Sequence, residues 1–168
     1  MSREEILSAI PHRDPFLLVD AIIEHSDKKI VCEKTFQPDD WFFAGHYPGY
    51  PLVPGVLLCE AAMQCGAILL SPLLSGEGPG VRAASTLHPS SASPHPGPLP
   101  MREGTGGRIP VATRMNDVRF KRIVRPGETI RIEVDLKERL ADAFFLQAKV
   151  TVDGKVAVRF DFACARTD

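Results

Sequence analysis

Nowhere in this chain of 168 residues do apolar residues run for the roughly 18 positions a membrane-spanning helix needs. The opening Met1-Ser-Arg-Glu-Glu-Ile-Leu lacks the basic-then-apolar order of a secretion signal, so a cytoplasmic protein is expected. An excess of charge is missing too: 20 Lys and Arg stand against 21 Asp and Glu, a formal net charge of -1. No nucleic-acid partner is expected, and an acidic partner would have to meet a local basic patch. Cysteine is sparse. Cys32, Cys59, Cys65 and Cys164 include no Cys-x-x-Cys pair and sit among apolar neighbours. Buried free thiols are expected, with neither a disulfide framework nor a metal site.

What is present suffices for one core. A hydrophobic fraction of 44% is ordinary for a globular protein, and the length fits a single domain over residues 1–168. Arg3 to Ile10 reads as a helical turn with Glu4 and Glu5 at its start, ended by Pro11. Phe16 to Ile23 and Lys29 to Phe36 read as strands of a hairpin turning at Asp27-Lys28. Gly55 to Leu70 is apolar nearly all round and too long for a strand, which predicts a helix buried on most sides. Its strongly polar side chains, Glu60 and Gln64, lie i,i+4 on one face.

Ile109 to Asn116, Thr129 to Glu138, Ala143 to Val152 and Lys155 to Cys164 read as four strands in a sequential meander. Pro126-Gly127 and Asp153-Gly154 mark turns between them. From about residue 76 to 107 Pro, Gly and Ser dominate, too polar to offset chain entropy by burial, so a disordered insertion is expected there. The pattern is that of an α+β fold, an antiparallel sheet wrapped around one long central helix.

Two short stretches could carry chemistry. In Gly45-His-Tyr-Pro-Gly49 a tight turn would hold the His46 ring. In Pro54-Gly-Val-Leu-Leu-Cys-Glu60 a helix starts, leaving the Gly55 and Val56 N–H groups free to meet an oxyanion. Glu60 follows roughly 7–8 Å along the axis. A base, an acid and an oxyanion site are what removal of water across the α and β carbons of a thioester requires. The residues leave plainer readings open: His46 as a turn residue, and Glu60 in an ion pair with Arg119 or Lys121.

Four blocks narrow the choice. Pro11-His-Arg-Asp-Pro-Phe-Leu-Leu-Val-Asp20, Phe43-Ala-Gly-His-Tyr-Pro-Gly49, Pro54-Gly-Val-Leu-Leu-Cys-Glu60 and Val118-Arg-Phe-Lys-Arg122 with Pro126-Gly127 together resemble the FabZ-type β-hydroxyacyl-[acyl-carrier-protein] dehydratases of type II fatty acid synthesis. The resemblance implies a hot-dog fold and conversion of (3R)-hydroxyacyl-[acyl-carrier-protein] to the trans-2-enoyl product without a cofactor. It further implies a homodimer or a trimer of dimers, with His46 of one subunit facing Glu60 of another. Glu60, where the related dehydratase-isomerases carry Asp, implies dehydration without double-bond migration. Arg119, Lys121, Arg122 and Arg125 form a basic cluster suited to docking an acidic carrier protein, or are simply a solvated strand end. Tyr47, Asp14 and Tyr50 depart from the family's usual Phe, Tyr and Arg. Two rival readings are a hot-dog acyl thioesterase and a non-catalytic hot-dog acyl-binding subunit.

Overall fold

A computed structural model describes residues 3–75 and 110–166; the expected insertion at about 76–107 lies outside the described residues. The elements are α1 (Arg3–Ala9), β1 (Ala21–His25), β2 (Lys29–Thr35), α2 (Gly55–Ser75), β3 (Pro110–Phe120), β4 (Thr129–Leu140), β5 (Ala143–Val152) and β6 (Lys155–Arg166). The strands make one antiparallel sheet in the order β1-β2-β4-β5-β6-β3. Alternating side chains give it an apolar inner face. Ile130, Ile132 and Val134 of β4, Phe144, Leu146 and Ala148 of β5, and Phe160 and Phe162 of β6 join the α2 side chains in one buried cluster. Among the described residues no helix is long and apolar enough to cross a membrane.

The expected meander holds only for β4, β5 and β6. β3 pairs with β6 at the far edge, and β4 pairs with β2. The reason lies in residues 121–128, which form an arch rather than a hairpin turn. Lys121 N–H and Arg122 N–H both donate to the Ala157 carbonyl, and the Arg122 guanidinium reaches the Val152 carbonyl at 3.1 Å. The arch therefore crosses the ends of β6 and β5 before Gly127 N–H bonds the Phe36 carbonyl at 2.7 Å beside β2. Alternation tells which face a strand buries, not which strand lies beside it.

Several boundaries also moved: β3 runs to Phe120, β4 to Leu140 and β6 to Arg166, each past its expected end. Phe16 to Asp20 is not strand: Leu17, Leu18 and Val19 are buried, and the Leu18 N–H donates to the Gln64 side chain on α2 at 2.8 Å. That run is apolar because it covers the helix. α2 continues five residues past Leu70, through Pro72, although proline cannot donate the backbone bond of that turn. The helix is also less enclosed than its composition predicts. Its stripe of Val56, Glu60, Met63 and Ala67 is incompletely buried, with Val56 69% exposed. Where α2 meets the sheet the two come very close: a Cβ at Gly66 would lie 2.8 Å from Phe162 Cζ.

All four cysteines are free and buried. The Cys65 thiol donates to the Cys32 sulfur at 2.8 Å, and burial pushes the Cys65 thiol well up from its ordinary value. Burial likewise raises Cys59 and Cys164 to about 11. Such thiols are poor nucleophiles at neutral pH. Their contribution to stability is complete below the ordinary value and is lost as pH rises toward 11.

Candidate active site

His46 stands in the loop between β2 and α2. That loop is pinned by aromatic packing: Phe42 and Phe43 are buried with ring centroids 4.4 Å apart, and Phe42 meets Phe36 edge-on at 5.9 Å. The His46 N–H donates to the Phe42 carbonyl at 2.9 Å, and the Tyr50 N–H to the Tyr47 carbonyl at 2.9 Å. Tyr47 takes φ 53° and Gly49 φ 87°. A bulky L-residue at positive φ is costly, so the turn beside the imidazole is held by its surroundings rather than by local preference.

The His46 ring has one directional bond. Nδ1 lies 3.0 Å from the Leu52 carbonyl oxygen. A carbonyl only accepts, so in the uncharged ring Nδ1 carries the hydrogen and Nε2 the lone pair. Sequence reasoning placed His46 but had no means of foreseeing this bond, since a backbone carbonyl leaves no residue-type signature.

Glu60 is mostly enclosed, its side chain 22% exposed. Oε1 accepts from Gln64 Nε2 at 3.0 Å, and His12 Nε2 stands 3.6 Å from the same oxygen. Gln64 is 1% exposed, and its orientation is set at both ends. Its Oε1 accepts from the Leu18 N–H at 2.8 Å, and its Nε2 also donates to the Phe16 carbonyl at 2.9 Å. The expected alternative, an ion pair from Glu60 to Arg119 or Lys121, is not what the structure places there. Exchange of Gln64 for Leu would strip partners from the Leu18 N–H and Phe16 carbonyl together. We expect a loss of about 2–4 kcal/mol in urea unfolding, as leaving two buried polar groups unpaired does. A loss under half a kcal/mol would disprove it.

The Gly55 and Val56 N–H groups have no hydrogen-bond acceptor among the described residues, as befits the first turn of a helix. Glycine at 55 has a packing cause as well. A Cβ there would lie 2.7 Å from Phe120 Cε1, so the β3 ring rests against the helix entrance. Phe120 lay inside one of the recognised blocks, yet nothing in its type or spacing pointed to this contact. Among the described residues no three His, Cys, Asp or Glu side chains gather as a metal site would.

His46 and Glu60 share no hydrogen bond, ion pair or ring contact within the chain. The basic cluster divides. Arg119 is exposed and near Asp117 at 3.8 Å, and Lys121 is exposed. Arg125 lies over the Tyr50 ring at 4.9 Å and donates to its hydroxyl at 2.8 Å. Arg122 differs, being half-buried with its guanidinium on Glu128 and on the Val152 carbonyl. That side chain holds the 121–128 arch, with two of its five N–H donors committed within the chain.

A sheet in this order around one helix defines the hot-dog class. Solved structures agree on the fold: a dehydratase heterocomplex, ApeI:P, from Xenorhabdus doucetiae matches with TM-score 0.69 at 14% identity over 97% of this chain and 91% of that one. The E. coli PaaI protein from the phenylacetic acid degradation operon matches with TM-score 0.56 at 14% identity, over 86% of this chain and 81% of that one. Residues 10–91 match the FabA-like domain. The chain is 36% identical over 157 residues to the 3-hydroxyacyl-[acyl-carrier-protein] dehydratase FabZ of Clostridium perfringens, covering 94% of this chain and 92% of that protein. It is 37% identical to the FabZ of Chloroflexus aggregans over 100% of this chain and 97% of that protein. The chain belongs to the FabZ family of 3-hydroxyacyl-[acyl-carrier-protein] dehydratases.

Proposed function

We propose that this protein dehydrates (3R)-hydroxyacyl-[acyl-carrier-protein] to the trans-2-enoyl thioester in fatty acid synthesis, with His46 as base and Glu60 as acid. The observation that carries the assignment is the His46 Nδ1 bond to the Leu52 carbonyl, which leaves Nε2 ready to accept a proton. The α-proton moves to Nε2 as negative charge spreads onto the thioester oxygen, where the Gly55 and Val56 N–H groups receive it. Electrons from the breaking Cα–H bond form the double bond while the C–O bond to the β-hydroxyl breaks. Glu60 Oε2, left free by the Gln64 bond to Oε1, delivers the proton that lets water depart. These transfers use side chains and backbone amides alone.

His46 and Glu60 belong, on this reading, to different subunits of a homodimer, in which two such dimensions of the chain support pairing. The Val56, Glu60, Met63 and Ala67 stripe of α2 is left incompletely covered. β3 is an edge strand with Val111, Met115 and Phe120 exposed, and a long open edge with apolar side chains invites a second copy. A trimer of dimers is the higher assembly such a family resemblance implies.

The test is turnover of hydroxyacyl-carrier substrates of graded length, with product identified. Enoyl thioester is expected, without a shifted double bond, and Glu60→Gln is expected to lower its formation on the order of a hundredfold. Free acid would establish a thioesterase instead. Acyl binding with no turnover would establish a non-catalytic subunit.

The acidic carrier docks, we further propose, on Arg119, Lys121 and Arg125, without Arg122. Reversing charge with Arg119→Glu and Lys121→Glu should raise KM for carrier-bound substrate about fivefold, as loss of steering charges does. KM for a short thioester analogue should stay constant; equal changes on both substrates would remove the docking surface.

A further inference from the structure

His12 lies in the Pro11–Asp20 segment and has no role in the proton transfers themselves. We propose that His12 is a positioning residue for Glu60, donating from Nε2 to the Glu60 oxygen that Gln64 also holds. The inference rests on the reading of Glu60 as the acid.

His12 Nδ1 is buried and has no hydrogen-bond partner. The ring stacks near Phe16, centroids 6.3 Å apart and planes 25° from parallel. A phenylalanine would fill that space without enclosing an unpaired nitrogen, so packing alone does not account for histidine here. What distinguishes histidine is the second nitrogen, and Nε2 faces Glu60 Oε1 at 3.6 Å. An unpartnered nitrogen is tolerated best as a bare lone pair, which places the ring hydrogen on Nε2, aimed at the carboxylate.

The segment carrying His12 is braced against drift. Arg13 donates to the carbonyls of Leu7, Ile10 and His12, and Arg3 binds Asp14. Beyond the ring, the Phe16 carbonyl and Leu18 N–H are tied to Gln64 on α2. His12 and Gln64 thus converge on one oxygen of Glu60 from two separate elements and leave Oε2 to face the substrate. As Glu60 releases its proton to the leaving hydroxyl, charge develops on the carboxylate. A donor standing slightly long in the resting site tightens as that charge grows. Such a contact favours the transition state over the bound substrate, so it acts on kcat rather than KM.

The experiment compares wild type with His12→Phe, His12→Gln, Glu60→Gln and the double variant His12→Phe/Glu60→Gln. His12→Phe should lower kcat about tenfold or more, the effect of removing a donor to a charged group, with KM changed less than twofold. His12→Gln, which restores an amide donor, should recover most of the loss. In the Glu60→Gln background His12→Phe should change nothing further. Full kcat in His12→Phe, or equal losses in His12→Phe and His12→Gln, would overturn the proposal. A His12→Phe effect that multiplies undiminished with Glu60→Gln would do the same. Should His12→Phe not fold, His12→Gln retaining near-normal kcat beside an inactive, folded His12→Leu supports the proposal, and equal kcat in those two overturns it. Glu60→Gln alone reports on the acid, so a failure of that assignment shows separately from a failure at His12.

Discussion

His46→Ala is expected to lower kcat by roughly 10²–10⁴-fold, the range for removal of a general base, while leaving the protein folded. The imidazole is half-buried and its one side-chain hydrogen bond goes to the Leu52 carbonyl. The loop that carries it is held by other means: the Phe36, Phe42 and Phe43 rings and the backbone bonds to the Phe42 carbonyl. Loss of the ring should therefore cost about 1 kcal/mol of stability, one ordinary hydrogen bond. A spectroscopic dehydration assay beside a thermal melt reads both quantities. Activity within threefold of wild type in a folded His46→Ala protein would end the assignment of the base.

The second large effect is a recovery. His46→Ala and Glu60→Gln proteins, each nearly inactive, should regain about a quarter of wild-type activity when unfolded and refolded together in equal amounts. The arithmetic follows from symmetry: half the dimers are mixed, and each mixed dimer holds one complete site and one site lacking both groups. The expectation comes from the absence of any contact between His46 and Glu60 within the chain, together with the exposed β3 edge and the open stripe of α2. Two affinity tags, one on each variant, establish that mixed dimers have formed. Mixed dimers without activity would place both groups of each site on one chain.

Much of this was legible in the residues. Asp153-Gly154 predicts a tight hairpin turn, and both residues take the positive φ such a turn needs, 49° and 73°. β5 runs over the expected Ala143–Val152, because its alternation is clean and both ends are punctuated. The closeness of Glu60 and Gln64 follows from helical spacing alone. Other features were not legible. The run from Phe16 looked like strand because an apolar segment covering a helix has the same composition as one buried in a sheet. Gln64 was visible as a polar residue, but its bonds to Phe16 and Leu18 join positions 48 and 46 residues away. Arg122 looked like one cation among four, and its partners Glu128 and Val152 became apparent only once the arch was in place.

The amino-acid order by itself determined most of the helix and strand segments, the run from Phe16 to Asp20 excepted, which face each buried strand turns inward, and that an imidazole loop precedes a helix carrying one carboxylate. Those properties depend on near neighbours, through periodicity, turn chemistry and the geometry of a helix start. Tertiary structure alone decided that β3 lies against β6, that Leu52 sets the His46 tautomer, and that His12 stands beside Glu60. Each of these is a contact between groups distant in the chain or with the backbone itself, and such contacts leave no local pattern in which they could be read.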